Sequence, residues 1–178
     1  NYRRFGGKHG QQVAGFHRVF AELGVPPEDH LAFAPMSKAH WAMSFRVNRQ
    51  EVDFAALEKE RAPLLAYLEK HPDITAVIAP NDHSAELICQ ILERSGWRIP
   101  ADLSVTGFDD YTPPIGWDQA TPSRLTTVRL PLREIGEAAA ELALELIANP
   151  ETACEPPRAV TLPVKLVERD STGPARKA

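Results

Sequence analysis

Two short apolar runs place the tightest limits on this chain: residues 74–80, ITAVIAP, and residues 103–108, LSVTGF. Both are apolar on successive positions and rich in β-branched residues, unlike the alternating pattern of a strand with one wet face. Between them lies NDHSAELICQILERSG. It opens on cap-type residues, repeats Ser84, Ile88, Ile91 or Leu92, and Ser95 on successive turns, and stops at Gly96. Strand, helix, strand, with both strands apolar on two faces, predicts an α/β chain: a three-layer parallel sheet with helices on both faces. Ligands of such sheets sit at the carboxyl ends of the strands, near a switch in strand order. Both strands here run into polar clusters at that edge, VIAPND and VTGFDD.

The remaining elements fit the same plan. QQVAGFHRVFAELG places Val13, Phe16, Phe20 and Leu23 at helical spacing and ends on Gly24. LAFAPM, residues 31–36, reads as a short strand, and residues 37–52 as a long loop holding Trp41 and Phe45. A second helix is expected over about 53–70, with a kink or break at Pro63. RLTTVRL is a third β-branched run. Residues 132–149 form a strong helix with Ile135, Ala139, Leu142 and Leu146 on one face. The alternation of Val160, Leu162, Val164 and Leu166 predicts a half-buried strand, and Pro163 marks it as an edge or crossing strand.

Several function classes are disfavoured. A net charge of −4 over 178 residues is a poor basis for holding nucleic acid alone. The basic ends, NYRRFGGKHG and GPARKA, read as solvated termini. Two cysteines without a CxxC suit a reducing cytoplasm. No run is long enough to span a membrane, and no signal-peptide pattern opens the chain. It begins at Asn1, so it reads as part of something longer. Nucleophile-elbow, P-loop and dinucleotide-binding spacings are absent, and six scattered histidines without HExxH give no metal site and no cofactor. Asp109 and Asp110 could hold Mg²⁺ or accept a phosphoryl group. Neighbours along an extended chain point apart, however, so a single carboxylate accepting from ligand hydroxyls, or capping a helix, fits better.

The segment TAVIAPNDHSAELICQILERSGWRIPADLSVTGFDDY, followed by PSRLTTVRLPLREIGEAAAELALELI, resembles the carboxyl-terminal half of the effector-binding domain of lactose/galactose-repressor-type transcription regulators. VAGFHRVFAELGVP and VTLPVKLVERDST are similar to that family's earlier helix and last strand, while 34–52 matches poorly. The resemblance implies a type I periplasmic-binding-protein-like fold, of which this chain is mainly the second lobe. It assigns 1–124 to that carboxyl-terminal lobe, 125–156 to a hinge strand plus a helix of the other lobe, and 157–178 to a return strand and tail. The helix of 132–149 then lacks its neighbours, and its apolar face must pack on this lobe, pack on another copy or stay mobile.

In the family the first acid after Gly-aromatic contacts the effector, which points to Asp109, with Asp110 as a turn or cap residue. Asn81 matches a position that reaches ligand in some members, with an N-cap shared with Asp82 as the plain alternative. The family often has an arginine where Gln12 stands, so a cationic clamp is missing there. Trp41 is a candidate stacking residue in the poorly matching stretch. The resemblance implies a non-enzymatic sensor of a small polar effector, a sugar or sugar derivative, in a cytoplasmic, homodimeric repressor-type regulator. DNA would be read only by a headpiece absent from this chain. A secreted solute-binding protein of a transporter, and a Mg²⁺-dependent phosphoacceptor using Asp109 and Asp110, are the alternatives.

Overall fold

The structure, a computed structural model, describes residues 8–26, 54–110, 123–150 and 158–176, with side chains described from 14 and from 61 onward in the first two helices. The chain forms two compact units, one containing the first two helices and the other everything described from Asp73 onward.

In the first unit, α1 spans Lys8–Glu22. Gly24 ends it at φ +67°, a left-handed turn that glycine adopts without strain. There Val25 N–H returns to Phe20 O at 2.9 Å and Gly24 N–H to Ala21 O at 3.1 Å, the paired bonds that satisfy a helix's last carbonyls. Helix α2 spans Phe54–Lys70 and runs unbroken through Pro63. The expected break is absent: Pro63 is exposed, so water can satisfy the carbonyl its ring frees. Leu64 and Leu68, one turn apart, are the buried side of this helix.

The second unit is a strand–helix–strand core. Strand β1 (Ala76–Ile78) pairs in parallel with β2 (Ser104–Thr106), Val77 opposite Val105. Helix α3 (Asp82–Arg94) connects them. Its Ala85, Ile88, Cys89, Ile91 and Leu92 are buried, as are Leu103 and Val105 of the second strand region. At about 25 cal/mol per Å² of apolar surface, each of the buried Ile, Leu and Val side chains contributes roughly 1.5–3 kcal/mol. Beyond β2 the sheet continues in parallel: Gly107 N–H donates to Thr126 O and Asp109 N–H to Val128 O, both at 2.9 Å. Strand β3 (Thr127–Arg129) leads into helix α4 (Leu132–Ala148) and pairs antiparallel with β4 (Lys165–Val167).

Ser171, fully buried, ties the return segment into the core. Its N–H donates to Arg124 O, its carbonyl accepts from Val105 N–H, and its hydroxyl donates to Val105 O at 2.6 Å while accepting from Thr126 N–H at 2.8 Å. The stretch after β4 is therefore part of the sheet rather than a loose tail.

Two expectations are corrected. β1 is not buried on both faces, since Ala76 and Ile78 are exposed; among the described residues it is paired along one side only. The strand expected to be half-buried across 160–166 is short, and Val160, Val164 and Leu166 are more than half exposed. Helix α4 buries no residue, with Ile135 and Leu146 exposed. An open apolar groove, lined by Leu130, Ile135, Ala139, Leu142, Val160 and Leu162, runs between this helix and the 160–164 segment. The strand and loop expected over 31–52 lie outside the described residues.

Candidate functional site

The carboxyl edge is built from two strand exits held side by side. After β1 the chain extends through Asn81 at φ −160°, and the Asn81 side chain accepts from Ser84 N–H at 2.8 Å. Asn81 is thus the N-cap of α3. Its amide oxygen is committed to the helix and its NH₂ is the donor end. The next residue, Asp82, donates its N–H to Phe108 O at 2.8 Å, which sets Asn81–Asp82 against Phe108–Asp109.

Asp82 is the residue that sequence reasoning missed. In the sequence it is a shared cap candidate, yet it is buried and its Oδ1 accepts from Thr127 Oγ1 at 2.5 Å. A Cβ added to Gly107 would collide with this carboxylate and would stand 3.1 Å from Asp82 Cα. Glycine at the end of β2 is therefore required by close approach. The signal was present in the pairing of an acid after one strand with a glycine at the matching point of the next.

Asp109 and Asp110 both adopt positive φ, 114° and 55°. Such backbone costs of order 1–3 kcal/mol per non-glycine residue and persists where surroundings over-determine it, often at ligand clamps. Asp110 is tied to two distant arginines. Its carboxylate accepts from Arg129 Nε at 2.5 Å through one oxygen and from Arg169 at 2.7 Å through the other. Burial alone would raise its pKa, but the Arg169 and Arg129 hydrogen bonds and charges outweigh it and hold Asp110 below the usual carboxylate range. With both oxygens occupied by guanidinium groups, Asp110 is poorly placed to share a metal ion with Asp109. Asp109 itself is partly exposed at this edge.

Deeper along α3, Glu86 is 3% exposed, and neither carboxylate oxygen has a hydrogen bond of ordinary geometry. Burial pushes its pKa up to about 7; Arg124 opposes this, Glu93 and Asp82 reinforce it, and Gln90 offsets it slightly. Its helical neighbour Cys89 is fully buried, and burial pushes that thiol up to about 12, so it is a packing residue rather than a nucleophile. Of the other sequence-predicted site residues, Gln12 falls within α1 but its side chain lies outside the described set, as does Trp41.

Residues 8–172 match the family described as periplasmic binding protein-like domain. The chain belongs to this periplasmic binding protein-like family. Within it, the chain is 29% identical over 136 residues to the arabinose metabolism transcriptional repressor of Geobacillus stearothermophilus, covering 76% of this chain and 32% of that protein. A LacI family transcriptional regulator from Enterococcus faecium, solved with bound ribose, superposes with a TM-score of 0.64 at 27% identity, covering 92% of this chain and 51% of that one. Another from Arthrobacter, in complex with lactose, gives 0.50 at 28% identity over 80% of this chain and 54% of that one. The chain thus spans about a third of the curated relative and about half of each solved one. No described helix is long and apolar enough to cross a membrane.

Proposed function

We propose that this chain is the effector-binding part of a bacterial transcription regulator, sensing a small polar molecule of the sugar class without catalysing a reaction. The supporting observation is structural. The chain shares the fold of regulators solved with ribose and lactose, and its sheet brings Asn81–Asp82 and Phe108–Asp109 together at the carboxyl edge. In this reading the Asp109 carboxylate accepts hydroxyl hydrogen bonds, and the Asn81 NH₂ donates to a ligand oxygen.

The division of the chain follows. Residues 1–124 serve as the carboxyl-terminal lobe, 125–156 as a hinge strand and a helix of the other lobe, and 157–178 as the returning segment. The exposed apolar face of α4, with its groove against 160–164, fits a helix whose cover is supplied by chain outside this one. Ligand closure then shifts a two-state equilibrium read on DNA by a separate headpiece, in a cytoplasmic homodimer.

A thermal-shift panel tests the ligand class. Pentoses, hexoses and disaccharides are compared with purines and carboxylates, since a ligand that binds only the folded state raises its melting temperature. Stabilisation confined to the non-sugar compounds would remove the sugar assignment.

A further inference from the structure

Two adjacent non-glycine residues at positive φ form an unstable backbone unless neighbours hold it, and here the holding groups can be named. Asp109 N–H is fixed on Val128 O at 2.9 Å. Asp110, whose side chain is 8% exposed, is gripped by Arg129 on β3 and by Arg169, two residues past β4. Arg169 is itself fixed: its other guanidinium nitrogen donates to Leu125 O at 2.8 Å and its N–H to Thr126 Oγ1 at 2.9 Å. The β2 exit, β3 and the return segment therefore meet on one carboxylate. Two arginines against one acid leave a positive charge over beside Asp109.

We propose that Asp110, clamped by Arg129 and Arg169, is a positioning residue that holds Asp109 in its strained backbone geometry and ties that geometry to β3 and the return segment. This rests on the reading of Asp109 as an effector contact. It goes beyond that reading by assigning Asp110 a role in affinity without contact with the ligand, and by naming the strands that would feel effector binding. The depressed pKa of Asp110 agrees, since the acid remains charged and clamped throughout the neutral range.

Amide hydrogen exchange in the full chain tests the clamp without any ligand. Asp110→Asn is expected to speed exchange of the Asp109 amide about tenfold or more, as expected for loss of charge-assisted hydrogen bonds. The Val105 amide, bonded to Ser171 O in the same sheet, is the control and should keep its protection. Arg169→Lys keeps the charge but loses the planar fork, and should fall between wild type and Asp110→Asn. If Asp110→Asn unfolds the chain, Arg129→Gln, which removes the more exposed partner, gives the same selective test. Unchanged Asp109 exchange, or equal acceleration at Asp109 and Val105, overturns the proposal. Ribose titration is the second arm. Weaker ribose binding in Asp110→Asn, with Val105 protection intact, is expected for positioning; unaltered affinity overturns it. If the wild-type chain binds no sugar while exchange at Asp109 responds selectively, the effector role of Asp109 falls and the clamp stands.

Discussion

Replacing Glu86 by glutamine should make the chain more stable at pH 8 and nearly unchanged at pH 5. Glu86 is almost fully buried with both carboxylate oxygens unsatisfied, and its pKa is raised from 4.5 to about 7, chiefly by burial. The folded chain therefore keeps this proton through a range in which the unfolded chain has released it. Between pH 4.5 and 7 the folded state binds more protons, so stability falls as pH rises, then levels off above 7. At about 1.4 kcal/mol per pH unit, that window is worth up to about 3 kcal/mol. Glutamine cannot ionise, so the substitution removes this loss while leaving other titrating groups in place. Urea unfolding of both proteins from pH 5 to 8 gives the difference directly. The gap should open by roughly 1–3 kcal/mol across the window, allowing for local relaxation. A constant gap at all pH values would refute the assignment of Glu86 as an acid whose ionisation is opposed by burial.

Ser171→Ala strands the Thr126 N–H and the Val105 carbonyl's hydroxyl contact in a dry core, and should lower unfolding free energy by about 2–4 kcal/mol in urea denaturation. Gly107→Ala drives a methyl into the Asp82 carboxylate and should destabilise by roughly 1–3 kcal/mol, with part of that loss recovered in Gly107→Ala/Asp82→Ala; additive losses would exclude the contact. Thr127→Val removes the donor to Asp82 Oδ1 and should cost about 1–3 kcal/mol of stability by the same assay.

The local elements were legible because their determinants lie within one turn of the chain. NDHSA starts α3, with Asn81 as cap, and Gly96 ends it at φ 86°. Gly24 ends α1 in the same left-handed way. The carboxyl-edge position of Asp109 followed from two apolar strands and the helix between them. The long-range features were not legible. Glu86 looks like any helix glutamate until the packing of α3 buries it. Ser171 sits in a charged, exposed-looking tail, and its burial depends on the returning segment meeting β2 and the start of β3. Asp110 read as a turn acid because its partners, Arg129 and Arg169, are far along the sequence. The exposure of α4 reverses the outcome that its apolar face alone suggests. The pattern gives the face that seeks cover, and only the assembled chain shows that none of its residues is buried.

The proposed effector site sets a sugar at the carboxyl edge, held by the Asp109 carboxylate. Isothermal titration calorimetry with ribose and lactose, on wild type and Asp109→Asn, addresses it most directly. Saturable heat is expected with at least one of these sugars, with an affinity lower by about tenfold to a hundredfold in the variant, the loss expected for hydrogen bonds to a charged acceptor. Absence of heat with both sugars in wild type, or equal affinity in the two proteins, would contradict it.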